Sequence, residues 1–399
     1  MKKYDAVIAG YICVDLIPDF KQNKSYAKLT DILKPGKLIE IEGLSYTMGG
    51  VVANTGMAMK KFSKNVFLNG LIGDDFIGKI ARGLLDKYGL STGVKTTKVD
   101  GTAFGLVIAP PGVDRIFLES PGCSRLFDFS HINFDIVAQA RLFHFGYPPL
   151  LKQFYLNGGS QLLDMFSVIQ GMGVVTSLDF SLPDVESESG KMDWPIILNH
   201  TLPYIDIFVP SLEEALQIMM PSKYAEIQSS NDGTDIIDLV SIETIREVGK
   251  RIIDSGVKIA LIKAGHRGAY LWTGDISSIN KKSGFNLDEG AWNFRELWCD
   301  AYHIDDDRIK NASGAGDTAS AAFLSAILDS ESPESSLKYA AIAGRNNLYC
   351  YDIYNELSDW QQMTEEIESE TNTIINLKPP NGNYVADVEI SINEFGNIK

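Results

Sequence analysis

The stretch NASGAGDTASAAFLSAIL, Asn311–Leu328, decides the fold of this chain. It opens on Gly314-Ala315-Gly316, and small or apolar residues recur at helical spacing after Asp317. The pattern predicts a glycine turn that leads directly into a helix. Exposed backbone N–H groups and the helix dipole attract negative charge at such a terminus. We therefore predict a cradle for a phosphate group at the start of this helix.

Asp317 is the chemically informative residue of this segment. An acid inside a phosphate cradle repels the ligand, so its presence calls for a reason. Accepting a proton from an attacking hydroxyl would be such a reason. A helix start with an acid near its cap is the alternative interpretation, and the spacing alone does not decide between the two.

A second glycine-rich segment, LSYTMGGVVANTGMAMKKF, occupies Leu44–Phe62. Gly50 stands at the mouth of a predicted helix, which brings Asn54 to the inner side of its first turns. An amide both donates and accepts hydrogen bonds, so Asn54 suits sugar hydroxyls. Asp15, just after the first predicted strand, could bind hydroxyls as well. A plain turn with an ordinary helix Asn and a turn-capping acid is the alternative.

Short apolar runs alternate with helical stretches along the chain, which predicts an α/β three-layer fold with a mainly parallel sheet. The runs are rich in Val, Ile and Phe and do not alternate strictly, as expected of strands covered on both faces. The predicted strands are Asp5–Gly10, Val66–Ile72, Leu142–Phe145, Val174–Asp179, Ile205–Val209, Ile259–Lys263 and Ala269–Trp272. The predicted helices are Val51–Phe62, Phe76–Tyr88, Gln161–Gln170, Leu212–Met219, Ile242–Ser255, Asp317–Leu328 and Pro333–Leu348.

Residues 1–399 are expected to form a single domain with two irregular insertions. Residues 16–46 contain two prolines and no helical period, and residues 102–118 resemble two strands joined by a PPGV turn. Both are expected to project from the main sheet as a small β-element. Residues 273–310 are polar and rich in Gly and Asp, so we interpret them as a surface excursion. Residues 367–399 are expected to form a peripheral tail.

The composition narrows the classes of function. A net charge of −16 and a pI near 4.8 argue against a nucleic-acid surface or an anionic membrane as partner. The four cysteines and five histidines show no metal-ligand spacing. The sequence has no run of about 20 apolar residues and no cleavable leader pattern, so we expect a cytoplasmic protein.

Taken together, these segments resemble the ribokinase-like (PfkB) carbohydrate kinase family. Its first signature is similar to GGVVANTGMAMKKFSKNVFLNGLIGDDFIG, Gly49–Gly78, and its second to NASGAGDTASAAFL, Asn311–Leu324. The resemblance runs from about Tyr4 to Leu348. It implies a three-layer α/β/α fold with a small β lid, and it allows a homodimer through that lid.

The resemblance also implies roles for individual residues. Asp317 would be the base that deprotonates the acceptor hydroxyl, and Gly314, Ala315 and Gly316 would form an anion hole. The residues that would hold acceptor hydroxyls are Asp15, Gly50 and Asn54. The residues that would line the nucleotide side are Lys263, Gly265 and Gly268, in KAGHRGAY, together with Asn311.

This chain departs from the family pattern at two places. Asn311-Ala312 replaces the Asp-Thr that often precedes the GAGD run, which leaves a monovalent-cation site open. Ser211 replaces the amide of a common Asn-x-x-Glu pattern, whereas Glu214 keeps the acid expected to order Mg²⁺. Ser-x-x-Glu ahead of an apolar helix is also a capping box, and Glu214 can serve both purposes.

The activity implied is transfer of the γ-phosphoryl group of ATP to a hydroxyl of a sugar. Two alternatives stay open, a nucleoside kinase of the same fold and a sugar-binding regulator without turnover. Three further residues are weaker candidates for the site. They are His144 and Asp179, at predicted strand ends, and Arg115, on the predicted hairpin.

Overall fold

The computed structural model describes residues 2–20, 30, 32–111, 116–231, 233–282 and 284–377. Its strands form two sheets, a large one with ten strands and a small one with four. The strands are β1 Tyr4–Gly10, β2 Cys13–Asp19, β3 Gly43–Gly49, β4 Val66–Gly73, β5 Val94–Thr97, β6 Phe104–Ile108, β7 Ile116–Ser120, β8 Ala140–Gly146, β9 Val175–Asp179, β10 Ile207–Phe208, β11 Ile259–Lys263, β12 Ala269–Thr273, β13 Glu296–Cys299 and β14 Ile374–Asn376.

Ten helices of eight residues or more are found in the described part of the chain. The helix α3 leaves helical geometry at residues 156–159. Within the described residues, no helix combines the length and the hydropathy needed to cross a lipid bilayer. The helices are α1 Gly50–Lys61, α2 Phe76–Lys87, α3 Lys152–Gly171, α4 Trp194–Thr201, α5 Leu212–Met219, α6 Pro221–Ser229, α7 Ile242–Asp254, α8 Ala315–Leu328, α9 Pro333–Asn347 and α10 Trp360–Ser369.

The large sheet has the order β14-β13-β12-β11-β10-β9-β8-β1-β4-β5. Neighbours from β5 to β11 are parallel, and β12 to β14 add an antiparallel edge. All seven strands predicted in the α/β alternation lie in this sheet, so the predicted three-layer α/β fold is confirmed.

Each face of the large sheet has its own core. Successive side chains of a strand point to opposite faces, and in β1 Ala6 and Ile8 belong to one core while Val7 and Ala9 belong to the other. The first core is packed by α1, α8 and α9, and the second by α3, α5 and α7. The helix α8 is buried along nearly its whole length because Ala and Ser allow close packing on the sheet.

The small sheet has the order β3-β2-β6-β7 and is built from the two insertions predicted by sequence. β2 and β3 pair antiparallel, and β6 and β7 form the expected hairpin. The pairing of β2 with β3 starts at Cys13 and ends at Gly49. The first insertion is therefore longer at both ends than the predicted residues 16–46. Arg115 and the turn beside it lie outside the described residues.

The interpretation of residues 273–310 as a surface excursion is wrong for much of the segment. It contributes β13 to the large sheet, and Trp292 and Trp298 are buried. Glu296 hides this strand in the sequence because an acid interrupts the apolar run. That acid is fully buried, where Arg246 and Tyr270 bind its carboxylate. β14 occupies the beginning of the predicted tail, of which residues 378–399 lie outside the described part.

Candidate active site

The N-terminus of α8 lies at the centre of the site. Gly314 caps the helix with a φ of +77°, in the left-handed region that favours glycine. A Cβ at this position would lie 3.0 Å from Asn54 Nδ2. Glycine is therefore required twice here, for the backbone conformation and for the close approach of α1. Asp317 follows in the first turn and is only 2% exposed.

Two hydrogen bonds hold the Asp317 carboxylate. Asn54 Nδ2 donates to Oδ2 at 2.9 Å, and the Tyr147 hydroxyl donates to Oδ1 at 2.9 Å. Burial and the nearby Asp179 carboxylate raise the pKa of Asp317 to about 6, although both hydrogen bonds and Lys263 act in the opposite direction. A carboxylate with such a pKa can accept a proton at neutral pH more readily than an exposed Asp.

Lys263, at the end of β11, pairs with an acid two strands away in the large sheet. Its Nζ lies 3.0 Å from both oxygens of Asp179, at the end of β9, and 3.0 Å from Ser320 Oγ on α8. Asp179 is 1% exposed and accepts a further hydrogen bond from Ser320. The ammonium group thus compensates a buried carboxylate where the carboxyl ends of parallel strands meet, the usual place for sites in such sheets.

His144 lies within β8 beside this ion pair and is fully buried. Its Nδ1 is 2.9 Å from Ser177 Oγ. Burial lowers the pKa of His144 to about 4, so the ring is neutral near pH 7. A direct role for this histidine stays a prediction.

A narrow pocket, with a cavity volume of about 10 Å³, lies between the small sheet and the two helix N-termini. Asp15, Asn54, Asn311, Ser313 and Asn347 line it. Asp15 belongs to β2 and not to the end of β1, which corrects the sequence-based placement. The structure nevertheless brings Asp15 and Asn54 together as predicted.

Asp15 occupies a tight position on the small sheet. Cβ atoms at Gly49 and Gly105 would lie 2.7 Å and 2.9 Å from its carboxylate oxygens. Burial raises the pKa of Asp15 to about 6, and the charges of Glu119 and Asp317 act in the same direction. Hydroxyl groups or other hydrogen-bond donors in the cavity would therefore stabilise the ionised form of Asp15.

Gly50 contributes through its backbone. Its φ is +79°, and a Cβ would lie 2.7 Å from the carbonyl oxygen of Tyr11. Gly50 is therefore needed for α1 to begin against the chain that follows β1. It places Asn54 and does not line the cavity described above.

A larger and mainly apolar cavity, about 270 Å³, lies on the other side of the α8 N-terminus. It is lined by Lys263, Gly265, Gly268, Ala315 and Gly316, which are residues predicted for the nucleotide side or the anion hole. The structure brings these two predicted groups of residues to one cavity.

Gly268 and Asn311 were both predicted for the nucleotide side but lie at different cavities. Gly268 has a φ of +116°, and a Cβ there would lie 2.1 Å from the Cys299 carbonyl oxygen. Asn311, predicted on the nucleotide side, lines the small cavity with Asp15 instead. Its Oδ1 accepts the Ser313 N–H at 2.9 Å and so shapes the turn before α8.

Glu214 is the predicted metal-associated acid, at the start of α5. Its Oε2 accepts the Ser211 N–H at 2.7 Å, and its own N–H donates to Ser211 Oγ, so the capping box is confirmed. Burial and Asp179 raise the pKa of Glu214 to about 7, whereas Lys263 acts to lower it.

No cluster of three potential metal ligands occurs among the described residues. Mg²⁺ that arrives with a nucleotide needs only one or two carboxylates, since phosphates and water supply the other ligands. The Glu214 carboxylate, close enough to Asp179 and Lys263 to feel their charges, can supply one such ligand.

Tyr147 is a residue of the site that sequence reasoning missed. It follows β8 with a φ of +65°, which is uncommon for a bulky side chain. The sequence GYPPL shows an aromatic residue between a strand end and two prolines, and this is the only sequence signal. The left-handed backbone that turns its hydroxyl toward Asp317 is not encoded in any recognisable motif.

Comparisons with known proteins identify the family and the fold. A family model described as pfkB family carbohydrate kinase matches residues 6–285. Probable fructokinase-2 of Arabidopsis thaliana is 22% identical over 307 residues, which are 74% of this chain and 77% of that protein. Fructokinase-2 of Solanum lycopersicum is 23% identical over 306 residues, 74% of this chain and 76% of that protein.

Two solved structures show the same fold. A ribokinase of Arabidopsis thaliana complexed with ribose and ATP gives a TM-score of 0.64 at 20% identity and covers 91% of this chain and 98% of its own. A fructokinase of Xylella fastidiosa with bound ATP gives a TM-score of 0.65 at 14% identity and covers 92% and 99%. The predicted ribokinase-like fold is confirmed. Because the family model matches well over half of its length, this chain belongs to the pfkB family of carbohydrate kinases.

Proposed function

We propose that this protein transfers the γ-phosphoryl group of ATP to a hydroxyl of an unphosphorylated sugar, with Asp317 as the base. One observation carries the proposal. Residues 311–316 face both cavities, because Asn311 and Ser313 line the small one while Ala312, Ala315 and Gly316 line the large one. Asp317 follows directly, with its carboxylate bound to Asn54 of the small cavity.

In the proposed reaction the two substrates enter from opposite sides of the α8 N-terminus. Asp15 and Asn54 bind acceptor hydroxyls, and Asp317 accepts the proton of the attacking hydroxyl. The backbone N–H groups at the start of α8 stabilise charge on the transferring phosphoryl group. The small sheet serves as a lid that excludes water, which limits hydrolysis of ATP.

ATP as the donor is supported by the large cavity and by the relatives solved with ATP. Its apolar walls suit a purine base, and Lys263 reaches toward the glycine turn with its Nζ 3.6 Å from where a Gly316 Cβ would lie. Glu214 would hold Mg²⁺ or its water shell. Bound there, Mg²⁺ would neutralise phosphate charge.

The small cavity favours an acceptor without a phosphate group. In the described part of the chain its lining contains Asp15 and no Lys or Arg, and the Asp15 carboxylate feels the charges of Glu119 and Asp317. Three carboxylates in one region would repel a sugar phosphate. The fructokinase relatives support a free hexose in particular.

An ADP-release screen over free sugars, sugar phosphates and nucleosides tests this proposal. We expect steady ADP formation with a free hexose or pentose. A nucleoside as the best acceptor would favour the nucleoside kinase alternative. Tight sugar binding with no ADP formation across the panel would overturn the proposal and favour a regulator without turnover.

Replacing Asp15 with Asn should weaken acceptor binding specifically. Loss of a charge-assisted hydrogen bond to the acceptor is expected to raise its KM by roughly 10- to 100-fold, whereas the KM for ATP stays within about threefold. Asp19→Asn is the matched control, because Asp19 lies on the same strand and binds Ser45 away from the cavity. Equal effects of the two variants would contradict the role of Asp15.

The pH dependence of turnover should report the Asp317 carboxylate. Because its pKa is raised to about 6 and the base must be ionised, kcat should fall as the pH drops below about 6. Asp15 also titrates near 6, so the profile is measured in Asp15→Asn as well. If the fall in kcat at low pH disappears in Asp15→Asn, the fall reports Asp15, and its assignment to Asp317 is wrong.

A further inference from the structure

The Tyr147 hydroxyl lies at the junction of the two halves of the site. It donates to Asp317 Oδ1 at 2.9 Å, and the Tyr147 backbone N–H reaches the Asp179 carbonyl oxygen at 3.4 Å. The ring centroid lies 6.4 Å from that of Tyr11, whose hydroxyl binds Glu119 on the small sheet. Tyr147 thus connects Asp317, β9 and the small-cavity side.

Packing alone does not account for this tyrosine. The ring contacts both cores of the large sheet, and a phenylalanine would fill the same space. The backbone adopts a left-handed conformation that is unfavourable for a bulky side chain, and such conformations concentrate at functional sites. The strained backbone of Tyr147 directs its hydroxyl to the Asp317 carboxylate.

The hydroxyl is a permanent donor in this environment. Burial and the charges of Asp317 and Asp179 raise the pKa of Tyr147 well above its usual value, so it stays protonated throughout the neutral range. Asn54, which binds the other oxygen, is also placed to bind the acceptor. Asn54 can therefore exchange its hydrogen bond to Asp317 for one to the acceptor. The hydrogen bond from Tyr147 to Asp317 is expected to persist throughout the reaction.

We propose that Tyr147 is a positioning residue that fixes the rotation of the Asp317 carboxylate, so that Oδ2 and Asn54 face the acceptor hydroxyl together. The inference rests on the proposed function, since it assigns a role in that reaction. Without the hydroxyl, the carboxylate would rotate about its χ2 angle, and the productive geometry would be populated less often. A second consequence is electrostatic, because a hydrogen bond donated to a carboxylate stabilises its ionised form.

Other charged groups around Asp317 must stay unchanged for a clean test. The titratable groups that act on Asp317 or on Tyr147 from the surrounding elements are Asp15 of β2, Asp179 of β9, Lys263 of β11 and Glu214 of α5. Tyr147→Phe removes a single oxygen atom and leaves all four of these groups in place.

Tyr147→Phe should lower kcat by about 10- to 100-fold while the KM values for ATP and the acceptor change less than threefold. The acid limb of kcat should also move to higher pH, because Asp317 loses a partner that favours its ionised form. Tyr224→Phe is the matched control. It removes a hydroxyl that donates to Glu213 at 2.8 Å, and neither residue lines a cavity described above.

The outcomes separate this inference from the proposed function. If the wild-type protein phosphorylates a sugar and Tyr147→Phe matches it in kcat and in pH profile, the positioning role is wrong and the function stands. If the wild type produces no ADP in the screen, the proposed function fails. A carbon-13 NMR titration of labelled aspartates then tests the hydrogen bond from Tyr147 to Asp317 without turnover. A higher pKa of Asp317 in Tyr147→Phe than in the wild type supports the positioning role. An unchanged pKa overturns that role.

Discussion

Replacing Asp317 with Asn is expected to lower kcat by about 10³-fold, within the range that a general base contributes. The amide keeps the size of the side chain and can still accept the hydrogen bond from Tyr147, but it cannot take the proton of the acceptor hydroxyl. The KM for ATP and the affinity for the sugar should change little. Steady-state ADP release and calorimetric binding of the sugar measure the two effects separately.

Asp254→Asn serves as the control for this substitution. Asp254 ends α7, is exposed and pairs with Lys250, and neither residue lines a cavity described above. It should retain full activity. An Asp317→Asn variant that keeps more than about a tenth of the wild-type kcat would show that another group accepts the proton.

Gly314→Ala should produce the second largest loss. The methyl group would force an unfavourable left-handed alanine and would lie 3.0 Å from Asn54 Nδ2, so Asn54, which holds Asp317, must shift by a few tenths of an ångström. We expect kcat to fall by about 10²-fold, because a displacement of this size disturbs the alignment of reacting groups. The backbone strain should also lower the free energy of unfolding by about 1–2 kcal/mol.

Gly89→Ala separates the two effects. Gly89 has a similar φ, +67°, but a Cβ there would meet no atom within 4 Å. This variant should lose similar stability in a chemical denaturation experiment and keep its kcat. If both variants lose activity equally, the loss stems from backbone strain and the contact with Asn54 is irrelevant.

The sequence predicts well the parts of the fold that depend on local chemistry. The apolar strands of the parallel sheet must be buried on both faces, so they stand out as short Val- and Ile-rich runs. The helix α8 follows a glycine turn and carries a small-residue face, and both features are visible in the amino acids themselves. For the same reason the glycine turn before α8 and the segment around Lys263 could be identified as candidates for the site, and residues of both segments line the large cavity.

Other features depend on contacts between distant segments and leave little trace in the sequence. Asn54 and Asp317 are 263 positions apart, and their hydrogen bond exists only because α1 and α8 begin side by side. β13 is obscured because its acid, Glu296, is compensated by Arg246 from another element. The placement of Asp15 on β2 required the pairing of the small sheet, which the proline-containing segment did not reveal.

Tyr147 illustrates the same limit within the site itself. A tyrosine after a strand is common, and nothing in GYPPL indicates a left-handed residue or a carboxylate partner. Its importance follows from where the α8 N-terminus lies relative to β8. A family signature that is confined to two segments therefore does not include every group that shapes the base.

Phosphorus-31 NMR of the protein with MgATP and a free hexose tests the central claim most directly. The account predicts a new phosphate monoester signal of the sugar that grows in step with ADP, and its near absence with Asp317→Asn. Inorganic phosphate as the only product beside ADP, or monoester formation that is unaffected in Asp317→Asn, would contradict it.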